Sequence, residues 1–368
     1  MRRLDLDAET LETLARYGFD AVPFEALVAQ LMAGGLDPAK NRLPGPISLP
    51  EPGSLPSVDA MSEAERARLR ARGQAAIEAG QVAAVILNGG MATRFGGVPK
   101  GATEALDGRS FLDFKLSQIA RAGGGRVTAL LMNSFATEAP TARHLETLRI
   151  DTPIRCFNQL ISVRLTPDGQ IFREADGRPS LHAPGHGDLP EALVRSGELA
   201  RLRAEGVRHI TMSNVDNLGA SLDPLIVGAH LDAGRPMTSE QVATLPGDVG
   251  GFPAWVDGRL TVVEALRAPV GFDPASSPVF NANNFVFDLE ALARPLPLTW
   301  YAVLKKVDGR PAVQFERLVG QLTDLLDASF LIVPRDGARC RFLGIKSPED
   351  LAANLDLIRA VLRGQGVL

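Results

Sequence analysis

The chain reads as an α/β protein built on a mostly parallel sheet, and three observations predict this. Apolar runs at Val82–Leu87 (VAAVIL), 127–132 (VTALLM), 209–213 (HITMS) and 330–334 (FLIVP) each close in a polar or glycine turn. Stretches with helical spacing lie between them, the alternation of a sheet buried on both faces. The 368 residues, 45% of them hydrophobic, supply a sizeable core without cross-links.

Composition then excludes whole classes. With 39 basic and 43 acidic residues the net charge is −4, so the electrostatic footprint of a nucleic-acid partner is missing. The longest apolar run, Val82–Leu87, falls far short of the ~20 residues of a membrane span. The opening MRRLDLDAET lacks the apolar stretch of a signal peptide. Cys156 and Cys340 make no disulfide framework and have no metal-type spacing. The expectation is a cytoplasmic protein with small-molecule partners, without nucleic acid or membrane.

In chain order, residues 1–81 read as a helical segment followed by a proline-rich loop. Phe24, Leu27, Val28 and Leu31 share one helix face that ends at Gly34-Gly35. Residues 43–58, with five prolines and two glycines, read as an extended loop packed over a surface. Ser62-x-x-Glu65 is a capping box opening a helix to about Ala79. Residues 82–368 read as one α/β domain. Within it, 236–287 (MTSEQVA, GFPAWV, LTVVEAL, PVFNANNFVF) read as an antiparallel insertion beside the main sheet, of the kind that completes a substrate cleft.

Five motifs carry candidate chemistry. Leu87-Asn88-Gly89-Gly90 begins a loop running through Arg94 to Lys100, directly after the first strand. Glycines let a backbone present N–H groups to a phosphate or base, and Arg94 and Lys100 add the charge a triphosphate needs. A tight turn with two surface cations is the plainer alternative. The pattern matches neither G-x-G-x-x-G nor the Walker loop. In Ala183-Pro184-Gly185-His186-Gly187-Asp188 the flanking glycines bring the main chain close to a ligand at which His186 points, while Asp188 reads as a ligand or a helix N-cap. A zinc site of His182, His186 and Asp188 would lack a further soft ligand. Asp216, in SNVDNLGA at a strand's carboxyl end, is a hard ligand suited to Mg²⁺ shared with phosphates, or a helix-capping aspartate. Asn281, Asn283 and Asn284 need partners inside a strand, for which sugar hydroxyls are suited; a turn or bulge is the alternative. Lys346 precedes the cap Ser347 and Pro348 of a helix carrying Leu351, Leu355, Ile358 and Leu362 on one face, so it reads as an anion ligand or a solvated lysine.

In order and spacing, LNGG…PKG, RSFLDFKLSQI, LLMNSF, CFNQ, APGHGD, SNVDNLGA, NANNF and GIKSPEDL resemble the UDP-glucose pyrophosphorylase (UTP–glucose-1-phosphate uridylyltransferase) family from about residue 82 to 360. The resemblance implies a Rossmann-like nucleotidyltransferase: a mixed sheet flanked by helices with an antiparallel sugar-side insertion. The implied reaction is Mg²⁺-dependent formation of UDP-glucose and pyrophosphate from UTP and glucose 1-phosphate. By position it implies nucleotide contacts at Leu87, Asn88, Gly89, Gly90, Gln159, Gly185, Asn214 and Asp216, with Gln159 reading uracil. It implies phosphate contacts at Lys100 and Lys346, sugar-phosphate contacts at His186, Glu264 and Asn283, and a metal ligand in Asp216. Arg94 and the GG-x-x-TR-x-G pattern also look like UDP-N-acetylhexosamine pyrophosphorylases, so such an enzyme, a broad UDP-sugar pyrophosphorylase, or a non-catalytic nucleotide-sugar binder are the alternative readings. The chain ends at Leu368 without the C-terminal β-helix of eukaryotic relatives, from which a monomer or small homo-oligomer is expected.

Overall fold

The structure is a computed structural model that describes residues 6–92 and 97–368. Seven strands make the central sheet: β1 (Val82–Leu87), β2 (Ala129–Asn133), β3 (Ile154–Asn158), β4 (His209–Asn214), β5 (Met237–Ala243), β6 (Val279–Asp288) and β7 (Ala328–Ile332), in spatial order β7-β5-β6-β4-β1-β2-β3. β6 pairs antiparallel with β4 and β5, and the other pairings are parallel. Six strands therefore end on one edge of the sheet, and β6 begins there.

β1 is buried along its whole length because both of its faces are covered. Val82, Ala84 and Ile86 pack with the helix Phe111–Gly123 and with the C-terminal helix Leu355–Gly364. Ala83, Val85 and Leu87 pack with the helices Leu189–Arg195 and Glu198–Ala204. A strand this apolar has no solvent face to offer, and the alternation feeds two cores.

Four further helices frame the sheet: α1 (Ala8–Arg16), α2 (Ala21–Met32), α3 (Glu63–Glu78) and α4 (Phe111–Gly123). α1 and α2 pack through Leu14, Phe24 and Leu27 on Ala302, Val313 and Phe315, which belong to the hairpin of Tyr301–Val307 and Arg310–Glu316. Ser62 Oγ accepts from the Glu65 N–H, the predicted start of α3. α3 lies directly on helix Pro224–Ala233, and glycines permit the approach: a Cβ at Gly228 would stand 1.8 Å from the Leu69 carbonyl. Among the described residues no helix is long and apolar enough to cross a membrane.

Two expectations change. The sequence reading set all four strands of 236–287 beside the main sheet, but β5 and β6 lie inside it. Only the hairpin Phe252–Val256 and Arg259–Val263 forms a ribbon of its own. Phe285, Val286 and Phe287 are all buried, which a peripheral strand could not achieve. The single helix expected after Ser347 is two, Pro348–Ala353 and Leu355–Gly364, broken at Asn354, whose Nδ2 donates to the Asp350 carbonyl.

Candidate active site

Polar side chains gather at the edge where β1 and β4 end. The loop after β1 is folded by its own inward groups. Leu87 belongs to the core, and Asn88 is fully buried, donating from Nδ2 to Asn133 Oδ1 (2.7 Å) and Thr141 Oγ1 (2.9 Å). Of the residues expected to touch nucleotide, these two therefore turn their side chains away from solvent. Gly89 and Gly90 have only backbone to present. Ser134 Oγ donates to the Gly89 carbonyl (2.8 Å), and the Lys100 N–H donates to the Gly90 carbonyl (3.2 Å). A Cβ at Gly89 would stand 2.1 Å from Gln159 Nε2, so a side chain there would displace the Gln159 amide. The Gln159 amide thus lies against the loop that precedes Lys100. Arg94 lies outside the described residues.

Lys100 Nζ and Asp216 Oδ2 are 2.6 Å apart, with both side chains only partly exposed. Asp216 is no helix cap: it sits in the loop after β4, two residues past Asn214. The final segment crosses this loop, with Gly344 bridging Asn217 and the Ile345 N–H donating to the Asp216 carbonyl (3.3 Å). Lys346, exposed, follows Ile345 in the chain, and its charge is felt by Asp248. Gly219 gives the crossing room, since a Cβ there would meet the Cys340 carbonyl at 2.7 Å. The crossing is anchored by Arg341, which donates from Nε (2.5 Å) and an Nη (2.8 Å) to both oxygens of buried Glu240 on β5.

The NANNF strand separates its amides by direction. Two extra residues on β6 make a bulge opposite Glu240, and Asn283 takes φ +55° there. Asn283 Nδ2 donates to Asn214 Oδ1 (3.0 Å), placing both expected ligands side by side. Asn281 and Asn284 are buried and spent on protein. Asn281 Oδ1 accepts from the Asn283 N–H (3.0 Å), and Asn284 Oδ1 accepts from Asn217 Nδ2 (3.2 Å). Of the three, Asn283 alone is partly exposed.

The APGHGD segment corrects its reading. Gly185 (φ +115°) and Gly187 are required by another stretch of chain: Cβ atoms there would stand 2.7 Å from the Arg317 carbonyl oxygen and 2.6 Å from the Leu318 nitrogen. Asp188 is not a side-chain N-cap. It is fully buried, accepting from Arg317 Nε (3.0 Å) and from the Leu160 N–H (3.2 Å), next to Gln159. Burial pushes its carboxyl up to about 6 although Arg317 opposes this. His186 Nδ1 accepts from the Val319 N–H (2.9 Å), which leaves the ring proton on Nε2; burial pushes its pKa down to about 4, so the ring is neutral. With His186 and Asp188 so engaged and His182 Nδ1 on the Ala183 carbonyl, the zinc alternative has no donor set.

Arg317–Gln321, unnoticed in the sequence, also organises Glu264. A Cβ at Gly320 would stand 2.6 Å from Glu264 Oε1, and one at Gly251 3.0 Å from Oε2, so two glycines leave room for the carboxylate. Burial pushes Glu264 up to about 7, with Arg267 opposing and Asp324 adding. These groups are linked through their chain neighbours: Leu160, beside Gln159, bonds Asp188; Asp188 holds Arg317; and Val319, two residues on, bonds His186. The Asn281 N–H donates to the carbonyl of Gly251, the glycine that faces Glu264, and Asn281 leads through Asn283 to Asn214.

The profile of the UTP–glucose-1-phosphate uridylyltransferase family matches residues 51–359. The chain belongs to this family. It is 33% identical over 286 residues to the UTP–glucose-1-phosphate uridylyltransferase of Astragalus penduliflorus, covering 72% of this chain and 60% of that one. It is 32% identical over 295 residues to the Saccharomyces cerevisiae uridylyltransferase, covering 74% and 58%. The match thus spans about three fifths of these curated relatives. Among solved structures, the Trypanosoma brucei UDP-glucose phosphorylase superposes with TM-score 0.74 at 26% identity, covering 93% of this chain and 77% of that one. A Leishmania major UDP-glucose pyrophosphorylase variant in complex with UDP-glucose gives TM-score 0.73 at 25% identity, with the same coverage. The family's fold is the seven-strand sheet described above.

The donor set at Asp216 fits Mg²⁺. One accessible carboxylate at a strand end, with the remaining positions left to phosphates and water, is how that ion is commonly held beside a nucleotide. The other grouping of metal-type donors among the described residues, His209, His230 and Asp288, lies at the opposite edge of the sheet.

Proposed function

We propose that the chain transfers the uridylyl group of UTP to glucose 1-phosphate and releases pyrophosphate. The observation that supports this reading is the meeting of Lys100, Asp216 and the segment leading to Lys346 at the ends of β1 and β4. A sugar-phosphate oxygen forms a bond to the α-phosphorus while the bond to the bridging oxygen breaks, and that electron pair leaves with pyrophosphate. The nucleophile is an anion at neutral pH, so no general base is needed. The obstacle is the approach of two polyanions, which calls for charge and positioning.

Lys100, paired with Asp216, and Lys346, next to the Ile345 that bonds the Asp216 backbone, would supply positive charge. Asp216 would hold Mg²⁺, which when bound neutralises charge shared by the two phosphates. Gly89 and Gly90 present backbone to the base and Gln159 its amide. Neutral His186 offers an Nε2 proton to the sugar phosphate without adding charge. Glu264 and Asn283 offer hydrogen bonds to sugar hydroxyls.

The test is pyrophosphate release from UTP with a panel of sugar 1-phosphates. Glucose 1-phosphate should give the highest kcat/KM. Preference for an N-acetylhexosamine 1-phosphate would overturn the sugar assignment. UTP binding without pyrophosphate release for any sugar would make the chain a binding protein.

A further inference from the structure

α4 carries a lysine to which the reading above gives no role. In RSFLDFKLSQI the residues Phe111, Leu112, Phe114, Leu116 and Ile119 are buried in the core. Lys115 lies among them, 2% exposed. Its ammonium has three protons and meets three acceptors, all on the stretch that carries Asp216: Ser213 Oγ (2.8 Å), the Asn217 carbonyl (3.3 Å) and the Ala220 carbonyl.

Burying an ammonium is costly even when it is hydrogen-bonded. The cost appears in its pKa, pushed down to about 7 by burial and by Arg341, against the attraction of Asp216 and Glu240. An apolar side chain would fill the same space without that penalty, so what distinguishes the lysine is the loop it holds. Asn214 and Asp216 stand on that loop, between its first and last anchored acceptors.

We propose that Lys115 is a positioning residue: it clamps the Ser213–Ala220 loop from the core side and so holds Asp216 and Asn214 in place opposite Lys100. Its effect on rate rests on the uridylyltransferase reading, whereas the clamp itself does not.

Lys115→Met is the informative variant. Methionine fills similar space but leaves Ser213 Oγ and the Asn217 and Ala220 carbonyls without their shared donor, so a modest fall in Tm is expected beside the kinetic effect. Loss of the clamp should lower kcat roughly tenfold to hundredfold with KM for UTP little changed, the scale of a 1 Å misplacement. Amide hydrogen exchange across 213–220 should rise in the variant without substrate. Ser213→Ala, which removes one acceptor, should lower kcat less, and should cost nothing more in the Lys115→Met background.

Wild-type exchange in 213–220 for Lys115→Met overturns the clamp whatever the activity. A kcat that falls only in proportion to lost folded protein also overturns it, because Lys115 is then merely structural. So do additive losses in the double variant. Absence of pyrophosphate release in the wild type would instead sink the uridylyltransferase reading, and exchange would still decide the clamp.

Discussion

Lys100 Nζ stands 2.6 Å from Asp216 Oδ2, although 116 positions separate the two residues. The pair joins the loop after β1 to the loop after β4, neighbouring parallel strands whose carboxyl ends form the natural ligand crevice of such a sheet. The lysine pairs with the carboxylate that, in the proposed reaction, would hold Mg²⁺. Asp216→Ala should therefore abolish turnover at low Mg²⁺. Initial rates across a Mg²⁺ series check this, and near wild-type rates in EDTA would remove the metal from the reaction.

Gln159 packs on Gly89 so closely that a Cβ at that glycine would meet its amide nitrogen at 2.1 Å. A base bound there meets a fixed amide, and a base with the wrong donor–acceptor pattern leaves buried groups unpaired. Gln159→Ala should lower the preference for UTP over CTP, in kcat/KM, by roughly tenfold to hundredfold. An unchanged preference would show that Gln159 does not read the base.

Lys346 reaches the site through the Ile345–Asp216 hydrogen bond. In the proposed reaction its charge would serve the transition state more than ground-state binding. Lys346→Ala should therefore lower kcat by roughly a hundredfold to a thousandfold while KM for UTP changes little. Lys346→Arg should recover only part, because a planar fork replaces a compact point charge. Full kcat in Lys346→Ala would make it a solvated lysine.

The Glu264 carboxyl, ordinarily near 4.5, is raised to about 7 by burial. In that interval the folded state binds a proton that the unfolded state has lost. Stability therefore declines as pH rises through the window and stays lower above it. Glu264→Gln is neutral throughout, so it should match wild-type Tm at about pH 5 and exceed it at about pH 8, with weaker sugar-phosphate turnover. Thermal melts at both values check the sign, and equal melting shifts would mean that Glu264 is ionised in the fold.

Much of this site is legible along the chain because its signals are local. A glycine pair after an apolar strand, an aspartate past a strand end and a lysine before a Ser-Pro cap each announce themselves within a few residues. Arg317 and Lys115 do not. Arg317 acts on Asp188 from 129 positions away, and Lys115 on acceptors about 100 positions away. A lone lysine in an apolar helix was the one available sign of the latter.

The amino-acid sequence by itself determined the strand–helix alternation, the order of the motifs and the kinds of donor each could offer. Tertiary structure decided which donors face a ligand and which are spent inside. It turned Asn283 toward Asn214 while tying Asn281 and Asn284 to the protein, and placed β5 and β6 within the sheet. It also showed that the glycines beside His186 make way for Arg317 and Leu318. The reason is that a buried polar group must find a partner, and partners are chosen by distance in space, which chain spacing does not record.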